Sequence, residues 1–322
     1  MSDPAGAPPE SPAGSPAEHA AAEGAARAKR RRKVIGFAFG VALLLGAGWV
    51  LYAHAGAVED AWASARAAPW WLVALALVLP LCNWLLISLS FWTMMRRHGS
   101  IGYVEMSEAI GGAWLLNYLP LRAGMVGRIA YHRAVNRITV ADSLRVMVAN
   151  MALGAVAVLA VLGIAAAMGR TATAAQWGLA LMGPLLGVAG SRVVLARRGK
   201  AWVADVLLIR YLDMMVWVAR YAVVFAIVGS PISLAGAVAV AAACQAALIV
   251  PFIGNGLGLR EWAVGLTAAA LPAGALSAGG ELTTATGLLA DVVNRAAELA
   301  VAVPVGQWCL WRLGGRLREV RA

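Results

Sequence analysis

The chain has 322 residues, of which 61 % are hydrophobic and 13 % charged, with a formal net charge of +11. A soluble domain carries about 25 % charged residues, so a soluble fold is excluded, and apolar runs close to the ~20 residues needed to cross a bilayer recur along the chain. The positive balance does not indicate nucleic-acid binding, because no basic helix, zinc-ligand spacing or aromatic platform accompanies it.

Residues 1–33, ending in "ARAKRRRK", are rich in Ala, Pro, Gly, Ser and Glu and nearly free of large apolar side chains. Such a segment buries too little surface to offset its chain entropy and is expected to be a disordered cytoplasmic tail. The basic cluster Arg27–Lys33 suits anionic inner-leaflet lipids. The following run, "VIGFAFGVALLLGAGWVLYAH", is too long for the apolar core of a signal peptide. It predicts a first span over about 34–54, opening a single membrane domain over 34–322.

Glu59, Asp60 and Arg66 mark a short outer loop. A second span, about 69–95, ends on the inner cluster Arg96, Arg97 and His98. The segment from Glu105 to about Val140 is irregular: a short apolar stretch meets Asn117, Pro120 and "LRAGMVGR", then Arg128, Arg133 and Arg137. It reads as a broken or re-entrant helix. Thr139 and Asp142 form a capping pattern before the next span.

Further spans are predicted over about 141–168, 176–196 and 203–228. The last of these carries Arg210, Asp213, Trp217 and Arg220 on one helical face. Charges at mid-membrane cost about 2.5–3.5 kcal/mol each on insertion scales, so these are expected to face a bundle interior. Asp213 is expected to pair with Arg210 or with an arginine of a neighbouring helix, and Arg220 with a partner on another helix.

A span over about 231–252 runs into "PFIGNGLGLRE", where Gly, Asn255, Arg260 and Glu261 interrupt the apolar pattern. A shorter apolar segment follows, about 257–271, and a final span, about 286–313, carries Asp291, Asn294, Arg295 and Glu298 on one stripe. That stripe is either interhelical glue, through Asp291–Arg295 and Arg295–Glu298 pairs, or the wall of a polar cavity. Arg197, Arg198 and Lys200 mark an inner loop and Arg312–Arg321 an inner C-terminus, so both termini are cytoplasmic and the crossings even in number, about eight.

"YLPLRAGMVGR" and "VPFIGNGLGLRE" share one design: apolar helix, Pro, small residues, Arg. Paired interruptions in the two halves of a membrane chain point to a binding site between two repeats. Asn117, Arg122, Arg128, Asn255, Arg260 and Glu261 are the candidate headgroup-binding residues. Arg260 is expected to face the cavity, and Glu261 an arginine such as Arg122, Arg128 or Arg295. Arg210, Asp213, Arg220, Asp291, Asn294, Arg295 and Glu298 form the candidate intramembrane charge network. No cofactor or metal is expected. Cys82, Cys244 and Cys309 are far apart, the four histidines are scattered, and neither a phosphate-binding P-loop nor a D-x-x-D cluster occurs.

The two interrupted segments resemble a known family. "NYLPLRAGMVGRIAYHRAVNRITVADSL" is similar to the N-P-x-R-A-G-E-x-x-R block of the lysylphosphatidylglycerol synthase transmembrane-region family of flippase-like proteins. "PFIGNGLGLREWAVG" is similar to its P-x-x-G-G-L-G-x-R-E block. The resemblance extends over about 34–313 and is most specific at G-L-G-x-R-E. Met125 stands where the first block carries an acid, and Asn255 where the second carries a small residue. The resemblance implies an all-α protein of the bacterial inner membrane, not an enzyme, that translocates lipids with polar or phosphate headgroups, or polyprenyl-phosphate-linked sugars. The family's soluble synthase domain is not expected in a chain ending at Ala322. The alternatives are an intramembrane lipid-modifying enzyme, or a membrane partner of a glycosyltransferase or lipid-biosynthesis enzyme.

Overall fold

The computed structural model describes residues 42, 45–53, 55–118, 123–168, 172–249, 256, 258–271 and 282–321. The predicted N-terminal tail and the start of the first span lie outside them. Residues 45–53 are helical, and the rest of the described chain folds into helices joined by short turns. These are α1 (Ala55–Ala67), α2 (Trp70–Met95), α3 (Tyr103–Leu116), α4 (Ala123–Ala134), α5 (Val140–Met168), α6 (Ala174–Arg197), α7 (Ala201–Ile227), α8 (Leu234–Ile249), α9 (Leu259–Ala270) and α10 (Thr284–Arg321). The fold is the all-α polytopic membrane architecture that the apolar pattern predicts.

Three helices are long and apolar enough to cross a bilayer by length and composition: α2, α5, and α6 over Ala175–Arg197. Their outward faces carry large exposed apolar side chains such as Leu159, Leu179 and Leu186, as a lipid-facing surface requires. α7 and α10, of 27 and 38 residues, are also long enough but carry charged side chains. The mid-helix charges Asp213, Arg220, Asp291 and Glu298 are buried, and α7 sits centrally, packed by α2, α5, α6, α8 and α10.

Local chemistry sets several helix starts. Before α5, the Asp142 amide donates to Thr139 Oγ1 at 3.1 Å, as the T-x-x-D spacing predicts. Before α6, Thr173 and Gln176 form a complete capping box. Pro80 lies inside α2 and removes one backbone donor there. The buried Ser88 and Thr93 return their hydroxyls to the carbonyls of Trp84 and Leu89, which leaves neither polar group unpaired.

The two interrupted segments fold as short helical hairpins. α3 and α4 have 14 and 12 residues, α8 and α9 have 16 and 12, all below the ~17–25 needed to span. In the first hairpin the start of α3 lies beside the end of α4. Tyr131 Oη and Asn136 Nδ2 donate to Glu105 Oε1 at 2.9 and 2.8 Å. The segment therefore returns to the level at which it began, which is the re-entrant arrangement. Near its tip, Gly124 lies directly against the Ala113 backbone, with no room for a β-carbon. In the second hairpin, Gly236 near the start of α8 lies against Leu271 just beyond α9, and the turn uses positive φ at Gly256 (67°) and Gly258 (78°), which glycine adopts at least cost.

α10 holds the first hairpin along its length. Gly111 and Gly112 of α3 and Gly306 of α10 permit close helix approach, with Cys309 and Leu115 filling the gap. At the open end of the hairpin, Arg312 and Arg316 of α10 pair with the fully buried Glu108 at 3.1 and 2.7 Å. Gly124→Ala should place a β-carbon in the Ala113 backbone and destabilise the fold by about 1–3 kcal/mol or more. Gly127→Ala, with open space around it, should leave the thermal midpoint in detergent unchanged. Equal midpoints for both variants would contradict the hairpin packing.

Candidate functional site

The polar face of α7 opens onto a cavity of about 320 Å³ enclosed by α2, α3, α4, α5, α7, α8 and α10. All four residues of the predicted α7 stripe, Arg210, Asp213, Trp217 and Arg220, line it. Asn117, Arg128 and Glu298 line it too. Helical spacing alone brings the α7 residues onto one wall, because i, i+3, i+7 and i+10 stay on one face. The opposite walls come from the first hairpin and α2, which tertiary packing brings into register.

The charges are paired helix to helix. Arg210 donates to Asp213 Oδ2 at 2.7 Å, one turn along α7, as expected. The Arg210 guanidinium rests against Gly154 of α5, where an added β-carbon would come within 2.5 Å of Nη2. Arg220, 2 % exposed, reaches three other side chains: Glu298 Oε2 at 2.8 Å, Asn294 Oδ1 at 3.1 Å and Asn83 Oδ1 at 3.1 Å. Its guanidinium also lies 4.0 Å from the centre of the Trp217 ring.

Glu298 is where these contacts converge. Its Oε1 accepts from Trp114 Nε1 at 3.1 Å and Tyr118 Oη at 2.9 Å. Its Oε2 accepts from Arg220 Nη2 at 2.8 Å and Arg260 Nη1 at 3.0 Å. One carboxylate on α10 thus joins the end of α3, the middle of α7 and the start of α9.

Arg260 does not face the cavity, contrary to the sequence expectation. It is 0 % exposed and sits one layer behind the wall, donating to Asp291 Oδ1 at 3.0 Å and to Glu298. Asp291 also accepts from Tyr221 Oη at 2.7 Å. The positive-φ glycines turn the chain so that Arg260 enters the core between α7 and α10, where two carboxylates wait. Glu261 meets Arg295 at 2.8 Å, one of its three expected partners, and neither residue lines the cavity.

The α10 stripe does not form the intrahelical Asp291–Arg295 and Arg295–Glu298 pairs. On a helix advancing about 100° per residue, Asp291, Asn294 and Glu298 fall within about 60°, while Arg295 lies about 40° to the other side. The first three therefore reach α7 and α9 arginines, and Arg295 turns to Glu261. Arg122 and Asn255, both candidates, lie outside the described residues. Asn117 leaves its buried Oδ1 without a hydrogen-bond partner among the described residues.

The sequence reading missed Asn83, Trp114, Tyr118 and Tyr221. Asn83 bridges two helices' charges, donating to Asp213 Oδ1 at 2.7 Å while accepting from Arg220. A lone Asn in the middle of an apolar span was its available signal. The aromatic donors had none, since a tryptophan or tyrosine in a membrane helix is ordinarily packing or an interface anchor. Glu105 and Glu108 were passed over likewise.

Within this network, Arg210, Arg220, Arg260 and Arg295 are matched by Asp213, Asp291, Glu298 and Glu261. Arg128 of α4 is different. It lines the cavity, lies 4.0 Å over the Phe91 ring, and has no carboxylate partner among the described residues. Among those residues no group of three or more His, Cys, Asp or Glu side chains is placed to hold a metal ion.

The family model described as the lysylphosphatidylglycerol synthase TM region matches residues 37–210, more than half of the chain. The chain belongs to that family. The match takes in the whole re-entrant hairpin and ends at Arg210, so the family region covers Arg128 and most of the cavity wall but neither Arg260 nor the α10 stripe. No curated protein and no solved structure matches the chain.

Removing one partner of a buried ion pair costs about 3–5 kcal/mol, because the other charge is left without compensation. Glu298→Ala strands Arg220 and leaves Arg260 with Asp291 alone, and should lower stability by about that amount, seen as lost yield and a lower thermal midpoint in detergent. Arg260→Ala should behave similarly, leaving Asp291 without its cation, whereas Glu59→Ala on the exposed face of α1 should change neither. Unchanged stability of Glu298→Ala would mean that the network is not what joins these helices.

Proposed function

We propose that the chain lowers the barrier for a phosphate-bearing lipid to change leaflets, by holding its headgroup in the cavity while the acyl or prenyl chains remain in the bilayer. The barrier to unassisted exchange is desolvation of the headgroup in hydrocarbon. A polar, partly closed cavity supplies replacement partners at that depth. The observation that carries this reading is Arg128: a cavity-facing arginine left over when every other membrane-depth arginine of the network has its carboxylate. A charge with no structural partner is a cost unless something else supplies the anion. Guanidinium groups also suit phosphate oxygens through paired hydrogen bonds.

On this reading Arg128 contacts the headgroup, with Asn117 beside it, its unpartnered amide oxygen suited to a headgroup hydroxyl. Arg122 and Asn255 are kept as further candidates on the resemblance of their segments to the family blocks. Arg220, Arg260 and the α10 carboxylates shape the cavity rather than bind the lipid. The proposed setting is the bacterial inner membrane, with both termini in the cytoplasm, and the proposed partners are membrane lipids. No chemical step is assigned to the protein.

In reconstituted vesicles carrying fluorescent phosphatidylglycerol, Arg128→Gln should slow leaflet exchange about tenfold or more while leaving the thermal midpoint nearly unchanged, because Arg128 is outside the paired network. Exchange at the wild-type rate would remove the headgroup role. Reporter fusions after Asp60 and after Arg321 should report opposite sides of the membrane. The same side for both would overturn the proposed orientation.

A further inference from the structure

We propose that the cavity is selective for charge, accepting a phosphodiester headgroup that bears no amine and disfavouring one that carries an ammonium, a selectivity that rests on the lipid reading above. The family is named for an aminoacylated lipid, whose headgroup carries ammonium groups. Among the described residues, the cavity offers such a group no carboxylate whose charge is unmatched, only the neutral amides of Asn117 and Gln245.

An ammonium taken out of water needs a carboxylate with a free face, for which an aromatic ring is a weaker substitute. Asp213 and Glu298 are the two carboxylates that line the cavity. Asp213 is bound by Arg210 at 2.7 Å and Asn83 at 2.7 Å. Glu298 already accepts from four donors, two of them arginines. Neither offers charge that is not already matched. Two of the aromatic faces are also in use: Arg128 lies 4.0 Å from the Phe91 ring centre, and Arg220 4.0 Å from that of Trp217, with Arg260 5.6 Å from the same ring.

Three arginines and two carboxylates line the cavity among the described residues, leaving one positive charge in excess. A phosphodiester carries one negative charge and would neutralise it. A headgroup that adds an ammonium to the phosphate brings a cation into a wall already rich in arginine. Trp84 and Trp114 also line the cavity, and their faces hold no arginine among the described residues, but they share the cavity with the excess cation. Ring surface alone, beside excess positive charge, does not replace the hydration of an ammonium.

The test uses the purified full chain in detergent, with thermal stabilisation titrated by three short-chain lipids: phosphatidylglycerol, phosphatidylethanolamine and lysylphosphatidylglycerol. Phosphatidylglycerol should bind about tenfold or more tightly than either amine-bearing lipid. Equal or tighter binding of either one by the wild-type protein overturns the proposal. Arg128→Glu, which removes the excess cation and supplies an unmatched carboxylate, should invert the order, and an unchanged order in a variant of normal thermal midpoint counts against the proposal. Water-soluble glycerol phosphate should stabilise the protein far less than the lipid. An equal effect would assign the selectivity to a soluble anion and overturn its lipid part. Leaflet exchange of the same lipids in vesicles separates the two readings: the binding order without any exchange upholds the selectivity and removes the translocase, whereas exchange of all three at one rate removes the selectivity alone.

Discussion

A charge at membrane depth must find its opposite inside the protein, and in this chain that requirement converges on Glu298. Its two oxygens accept hydrogen bonds from the end of α3, from α7 and from α9. Hydrocarbon offers no alternative partner, so each of these elements is held to α10 by a contact that cannot be exchanged for water. Neutral helix packing between lipid-exposed helices lacks that directionality, since lipid tails are as apolar as the side chains they would replace. The position of the α3–α4 hairpin, the rotation of α7 and the entry of Arg260 into the core all follow from satisfying one carboxylate.

Close backbone approach is the second constraint, and it acts where the charges do not. Gly124 against Ala113, Gly306 against Leu115 and Gly287 against Gly265 let helices meet at separations that side chains would forbid. The first contact closes the tip of the re-entrant hairpin and the second seats that hairpin on α10. The third brings α9 against α10, which places Arg260 within reach of Asp291 and Glu298.

The cavity is what remains when these demands are met. Its α7 wall is polar because Arg210, Asp213 and Arg220 could not face lipid, and its far wall is polar because Asn117 and Arg128 sit on the hairpin that α10 holds in place. Every charge behind it is matched, so the network itself has no net attraction for an anion. Among the described residues, Arg128 alone supplies one. In the proposed lipid role such a site would bind reversibly, because the arginines that would otherwise grip phosphate are already engaged with carboxylates.

Much of this was legible in the sequence. Apolar run length and low charge determine an all-helical membrane protein, because a bilayer leaves the backbone few other solutions. The i, i+3, i+7, i+10 spacing of Arg210, Asp213, Trp217 and Arg220 determines a polar face on α7, and glycine, proline and arginine together mark the two helix breaks. Periodicity on one helix says which residues share a face, but not which neighbour that face meets. The partners of Arg220 and Arg260 lie 78 and 38 positions away at Glu298, and only packing of α3, α7, α9 and α10 brings them together. Arg260 was for that reason misread as a cavity residue: a buried arginine and a ligand-binding arginine look alike in sequence. They differ only in whether a carboxylate from a distant helix has already reached them.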